Sequence, residues 1–146
     1  MKETFKQASV SLAMLLLTAL PALAAGDAAK AKMSGFNWNP VMDAIIQVES
    51  GGNTKAVSGN SVGAMQITPI LVKECNIILQ KRKSNKRYSM DDRYNVAKSK
   101  EMFMLFQSYH NPQNNVEKAI RTWNGGPKYS VRATNRYFKK VMSILK

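Results

Sequence analysis

The sequence has a single cysteine, Cys75, and a single histidine, His110, among its 146 residues. One cysteine excludes a disulfide within the chain, and with one histidine almost no ligand set for a zinc ion remains. Catalysis by a metal ion, by a thiol with histidine or by a Ser-His-Asp triad is therefore disfavoured. We expect no cofactor and no metal site.

Acidic residues are also scarce, since 9 Asp and Glu stand against 22 Lys and Arg and the formal net charge is +13. This charge attracts polyanions over a long range. The densest basic run, residues 81–87, has only Tyr88 beside it and lacks helix-turn-helix spacing, which disfavours nucleic acid as a partner. A cell-wall polymer or a membrane surface is the favoured anion, and a solvated basic loop is the alternative for this run.

The apolar stretch over residues 10–20 is too short for a membrane span, which takes about 20 apolar residues, and no later segment approaches that length. Lys2 and Lys6 precede the stretch, and Ala22-Leu23-Ala24 follows it as a small-residue cleavage pattern. Residues 1–24 are therefore predicted to be a secretory signal peptide, with a retained amphiphilic tail as the alternative. We expect export to the periplasm or cell-wall space, a flexible leader over 25–37 and one domain over 38–146.

The spacing of apolar residues predicts a mainly helical domain. A first helix begins near Asn39, which can cap it, has Pro40 in its first turn and stops at Gly51-Gly52. Residues 53–67 are predicted to form an irregular loop or small hairpin. Further helices are predicted over 68–79, 89–109, 114–123 and 134–145. Tyr109 is predicted to lie on the apolar face of the helix over 89–109.

Glu49 lies on the apolar stripe of the first helix, because it follows Met42, Ile45 and Ile46 by seven, four and three residues. Burial and the negative end of the helix dipole both raise the pKa of a carboxyl, and a protonated carboxyl is what a general acid requires. A terminal glutamate that turns into solvent is the alternative. Asp43 lies on another face, so no local spacing supplies the second carboxyl of a two-carboxyl hydrolase. A single acid/base suffices if the substrate provides its own nucleophile.

Three blocks of sequence occur in order between about residues 38 and 146: Glu49 to Asn53 with Ala56-Val57-Ser58, then Gly-Ala-Met-Gln-Ile-Thr-Pro at 63–69, then Trp-Asn-Gly-Gly-Pro at 123–127 followed by Tyr137. Together they resemble the catalytic domain of bacterial soluble lytic transglycosylases, relatives of goose-type lysozyme. The resemblance implies a lysozyme-like helical fold. It also implies cleavage of the β-1,4 bond between N-acetylmuramic acid and N-acetylglucosamine, with a 1,6-anhydromuramyl product. A hydrolytic muramidase of the same fold and a non-catalytic wall-binding accessory are the alternatives.

By this resemblance, Glu49 is the single catalytic acid/base, and its neighbours bind the substrate. Met65 would form an apolar wall of the cleft, Gln66 would hydrogen-bond sugar or N-acetyl groups, and Ser58 would lie near the glutamate. The hydroxyl of Tyr137 would approach the catalytic carboxyl. The structural alternatives are a core methionine, a loop-bracing amide, a turn serine and a core aromatic residue.

The third block carries further substrate contacts by the same resemblance. Asn124 would face the cleft at the end of a helix, and Gly125 would permit close backbone approach. Trp123 stands where the family usually has tyrosine, so its indole is expected to stack on a sugar instead, and Ala64 replaces a common leucine. We expect a monomer that acts on peptidoglycan strands. The short build resembles transglycosylases that accompany secretion or conjugation machinery.

Overall fold

The structure is a computed structural model that describes residues 35–145. The predicted signal peptide and most of the predicted leader lie outside the described residues. In chain order the elements are α1 (Asn39–Ser50), β1 (Val57–Ser58), β2 (Ser61–Val62), α2 (Pro69–Lys81), a 3₁₀ helix (Asp91–Tyr94), α3 (Val96–His110), α4 (Val116–Gly125) and α5 (Val131–Ile144). The predicted mainly helical fold with a small hairpin is confirmed. No helix within this range is long and apolar enough to cross a membrane.

The first helix begins one residue away from its predicted cap. Trp38 occupies the N-cap position and makes no side-chain cap bond, so the prediction that Asn39 caps α1 is wrong. Instead, the side-chain oxygen of Asn37 accepts a hydrogen bond from the backbone N–H of Asn39 at 3.1 Å. Pro40 lies in the first turn, as predicted. The free N–H groups at the start of a helix need hydrogen-bond acceptors. Here Asn37 supplies one in place of the predicted Asn39.

The helix predicted over 89–109 is two separate elements. Ser89 and Asp92 exchange hydrogen bonds between side chain and backbone around the 3₁₀ helix. Asn95 is then extended, and its side chain accepts a first-turn N–H at 3.0 Å, so α3 starts after it. Asn115 and Ser130 cap α4 and α5 in the same way. Short polar side chains compete for backbone groups, and this moves the boundaries that apolar spacing predicts.

The core forms where α5 packs on α1 and α4 and where α2 packs on α3. The predicted stripe of α1 is buried, with Met42 1% and Ile45 0% exposed. The ring of Phe103 on α3 lies between two tryptophans, 5.6 Å from Trp38 and 5.1 Å from Trp123 between centroids. Helix α5 packs on both α1 and α4. This packing places α5 against α1, so that Tyr137 on α5 reaches Glu49 in the last turn of α1.

The basic run contacts the protein itself at several points. Lys81 donates a hydrogen bond to the hydroxyl of Tyr109 at 2.9 Å, and Lys86 forms an ion pair with Glu101. Tyr109 is 41% exposed, so its predicted place on the buried face of α3 is wrong. Arg87 donates to backbone carbonyls of its own loop. Several basic side chains of this run therefore stabilise the connection between α2 and α3 through contacts within the protein.

Candidate active site

Glu49 lies in the last turn of α1 and is partly buried. The hydroxyl of Tyr137, on α5, donates a hydrogen bond to Glu49 Oε1 at 2.7 Å. Burial raises the pKa of the Glu49 carboxyl above its ordinary value, while the hydrogen bond from Tyr137 acts in the opposite direction. The carboxyl therefore keeps its proton to a higher pH than a free glutamate does, as a general acid must.

Tyr137 is held as a hydrogen-bond donor. Burial raises the pKa of its phenol, and the neighbouring charge of Glu49 and the hydrogen bond between them raise it further. The phenol therefore stays protonated throughout the pH range in which a carboxyl titrates. Its hydroxyl can therefore donate to Glu49 at every pH at which the carboxyl titrates.

Ser50 fixes the end of α1 to the loop that follows the hairpin. Its hydroxyl donates to the carbonyl oxygen of Ala64 at 2.8 Å and accepts the backbone N–H of Gly52 at 3.2 Å. We did not single out Ser50 from the sequence. Its signal there is weak: a small hydroxyl residue that follows the candidate acid and precedes two glycines. The contact sets the position of the glutamate relative to residues 63–66.

The turn over 63–66 has two residues in the left-handed region. Gly63 has a φ of 77°, and an added Cβ would collide with the carbonyl oxygen of Arg93, so a side chain does not fit there. Gln66 has a φ of 52°. Its side-chain Nε2 donates to the carbonyl oxygens of Ala56 at 3.3 Å and Gly63 at 2.9 Å. The amide nitrogen thus braces the loop, and the side-chain oxygen is left for another partner.

Met65 is a core residue and not a cleft wall. Its side chain is 0% exposed and belongs to the hydrophobic core, so it offers no surface to a ligand, contrary to the expectation from the resemblance. Its backbone carbonyl accepts a hydrogen bond from the indole N–H of Trp123 at 3.3 Å. The tryptophan that replaces the usual tyrosine therefore joins α4 to this turn.

Gly125 has a packing role that the sequence interpretation missed. An added Cβ would lie 2.8 Å from Thr134 Cγ2 and 2.9 Å from Tyr129 Cβ, so the close approach expected of Gly125 is to the protein itself, between α4 and the start of α5. Its neighbour Asn124 is exposed at the end of α4. Ser58 is exposed in β1 opposite its hairpin partner, and in the described chain it makes no hydrogen bond to the glutamate.

A groove of about 290 Å³ lies between the start of α2 and the end of α4. Three predicted site residues line it, namely Gln66, Trp123 and Asn124. Glu49 and Tyr137 do not line this groove. Ser50, the residue after Glu49, bonds to Ala64, which precedes the lining residue Gln66 by two positions. The described residues contain no group of three His, Cys, Asp or Glu side chains that could hold a metal ion.

A mainly helical single domain with a small hairpin, and with a glutamate at the end of its first helix, has the architecture of lysozyme-like proteins. The chain belongs to the transglycosylase SLT domain family, whose family model matches residues 27–144. The resemblance found in the sequence is thereby confirmed, and family membership supports lytic transglycosylase-type activity on peptidoglycan in general. A search of solved structures gives no significant match.

Proposed function

We propose that the protein is a lytic transglycosylase that cleaves the β-1,4 bond between N-acetylmuramic acid and N-acetylglucosamine and leaves 1,6-anhydromuramyl ends. The observation that carries the proposal is the contact between Glu49 and Tyr137. The pKa of this carboxyl is raised, and among residues 35–145 its hydrogen-bond partner is a phenol and not a second carboxyl. Such a site has one acid/base group, which suits a reaction whose nucleophile belongs to the substrate.

In the first step, the protonated carboxyl of Glu49 gives its proton to the oxygen that leaves C1 of the muramic acid. Protonation of a leaving group by a positioned acid is general acid catalysis. The bond between C1 and that oxygen breaks, and the N-acetylglucosamine side departs as an alcohol. Tyr137 donates to the carboxylate that remains, which limits the cost of its new charge.

In the second step, the C6 hydroxyl of the same muramic acid attacks C1. Glu49, now ionised, accepts the hydroxyl proton, and a bond between O6 and C1 forms. The sugar supplies the attacking oxygen, so no water enters the product. The carboxyl is protonated again at the end and is ready for another turnover.

The groove lined by Gln66, Trp123 and Asn124 is the proposed binding place for the glycan strand. Its apolar walls include Ile70 and Leu71, and the partly exposed indole of Trp123 offers a flat face to a sugar ring. Asn124 and the free side-chain oxygen of Gln66 are available for hydrogen bonds to hydroxyl or N-acetyl groups. This mixture of apolar walls and a few polar groups is typical of ligand sites.

The test is product analysis on isolated peptidoglycan. Wild type is expected to release anhydro ends, which mass spectrometry distinguishes from reducing ends because they are one water lighter. Glu49→Gln is expected to lower the rate by at least about a hundredfold, since general acid catalysis contributes that much or more. Asp43→Asn is the matched control, because Asp43 lies on the same helix, is exposed and pairs with Lys100 at 2.6 Å.

Two results would replace the proposal. Reducing ends from wild type would make the protein a hydrolytic muramidase of the same fold. Full activity of a folded Glu49→Gln protein in cells would favour a non-catalytic wall-binding accessory. Export to the periplasm or cell-wall space is part of the proposal, because the substrate lies there and residues 1–24 have the pattern of a signal peptide. Cell fractionation tests it.

A further inference from the structure

Among the polar groups that line the groove, Gln66 and Glu74 present acceptors, and Asn124 presents an exposed amide that can both donate and accept. Both hydrogens of the Gln66 amide bond to backbone carbonyls, and the indole N–H of Trp123 donates to another. The hydroxyl of Thr122 lies within hydrogen-bond distance of two carbonyl oxygens of its own helix. The oxygen of Gln66 and the carboxylate of Glu74 have capacity left. A ligand that brings hydrogen-bond donors therefore matches this lining.

Glu74, on α2, is the one charged side chain among the described residues that line the groove. Its Oε1 is 3.0 Å from Nε2 of His110, and its side chain is 33% exposed. The imidazole packs on the ring of Phe106, another lining residue, at 4.4 Å between centroids. The histidine thus fixes one carboxylate oxygen of Glu74, while the other oxygen is not bonded within the described chain.

The partner of Glu74 matters for what the groove attracts. An imidazole carries charge only when it is protonated, so unlike lysine or arginine it is not a permanent cation. Lys81, at the end of α2, is close enough for its charge to interact with that of Glu74, but it lies outside the groove lining and donates its hydrogen bond to Tyr109. Leu71 and Phe106 give the groove apolar walls near Glu74, while Ile70 is 78% exposed and leaves the groove open to water. A cation entering the groove would meet a positioned carboxylate in an otherwise uncharged lining.

We propose that Glu74 is a specificity-determining residue that binds a primary ammonium group of the substrate. The proposal rests on the proposed function, in that the groove holds peptidoglycan. Peptidoglycan can present such a group in two ways: as the 2-amino group of a sugar that has lost its acetyl group, or as the side-chain amine of a diamino acid in the stem peptide. In both cases Glu74 accepts a charge-assisted hydrogen bond.

The experiment measures binding without turnover, in the Glu49→Gln protein at neutral pH. Three probes are used: a tetramer of glucosamine, a tetramer of N-acetylglucosamine, and a soluble stem tetrapeptide with a free side-chain amine. Adding Glu74→Gln is expected to weaken binding of the probe that carries the recognised ammonium by about five- to tenfold. This range lies between the contribution of an exposed ion pair and that of a hydrogen bond to a charged group. The N-acetylated tetramer should change by less than about twofold. Whichever amine probe responds identifies the source of the ammonium.

Two controls separate the local effect from others. Asp91→Asn removes the same charge from the 3₁₀ helix, outside the groove, and should leave all three affinities unchanged. Thermal unfolding of the Glu74→Gln protein checks that the fold is retained. Equal weakening of charged and acetylated probes, or no weakening of either amine probe, overturns the proposal. Neither result affects the proposed function, which is tested separately by the products of wild type and by the activity of Glu49→Gln.

Discussion

Replacing Tyr137 by phenylalanine tests the electrostatics of the candidate site most directly. Tyr137→Phe removes the hydroxyl that donates to Glu49 Oε1 at 2.7 Å and keeps the ring. This hydrogen bond favours the ionised carboxylate, so its loss raises the pKa of Glu49 further. A hydrogen bond to a charged group contributes about 1.5–3 kcal/mol, and the partial exposure of Glu49 points to the lower end. A hydrogen bond between neutral groups contributes only about 0.5–1.5 kcal/mol, so the substitution penalises the ionised carboxyl more than the protonated one and raises the pKa of Glu49.

The assay is the pH dependence of kcat/KM on isolated peptidoglycan. A general acid works while protonated, so the rate falls as pH rises through the pKa of Glu49. In Tyr137→Phe this falling limb should move to higher pH. Tyr94→Phe is the control, because Tyr94 is exposed and its hydroxyl makes no hydrogen bond in the described chain. An unchanged limb, or one moved to lower pH, would refute the assignment of the titrating group.

The same shift predicts a change in stability. A carboxyl whose pKa is raised on folding binds its proton more tightly in the folded state, so the free energy of unfolding decreases as pH rises between the unfolded and folded values of Glu49. Glu49→Gln removes this titration. The variant should therefore lose less stability than wild type between acidic and neutral pH, as measured by urea unfolding at several pH values. A steeper loss in the variant would contradict the raised pKa.

Two further substitutions test the packing around the site. Gly125→Ala should lower the free energy of unfolding by about 1–3 kcal/mol, because the new methyl would press on Thr134 and Tyr129; an unchanged melting temperature would show that the helices can separate at no cost. Ser50→Ala should lower kcat more than it raises KM and cost about 1 kcal/mol of stability, since the bond to Ala64 positions the glutamate; unchanged kinetics would remove that positioning role.

Much of the first helix could be predicted from local spacing. Met42, Ile45 and Ile46 recur at helical intervals and are buried, and Glu49 continues their stripe and is partly buried. Such a prediction works because the faces of a helix follow from residue spacing alone. The family could also be inferred, because each of its three sequence blocks is short and the blocks occur in order along the chain. Exact helix ends could not be predicted, since several side chains compete to cap each one, as Asn37 does at the start of α1.

Contacts between distant segments were beyond that reasoning. Residue spacing could not show that Met65 points into the core while its neighbour Gln66 lines the groove, nor that Glu74 meets His110 at 3.0 Å across two helices. Each depends on how helices pack in space.

Local sequence was enough to predict a helical domain, its family and Glu49 as the candidate acid/base, because helical spacing and short sequence blocks each involve only a few neighbouring residues. The environment of that residue was settled by folding. Tyr137 lies 88 positions away along the chain and reaches Glu49 because α5 packs against α1. Burial and hydrogen bonding depend on such long-range packing, and they set the pKa on which the proposed chemistry relies.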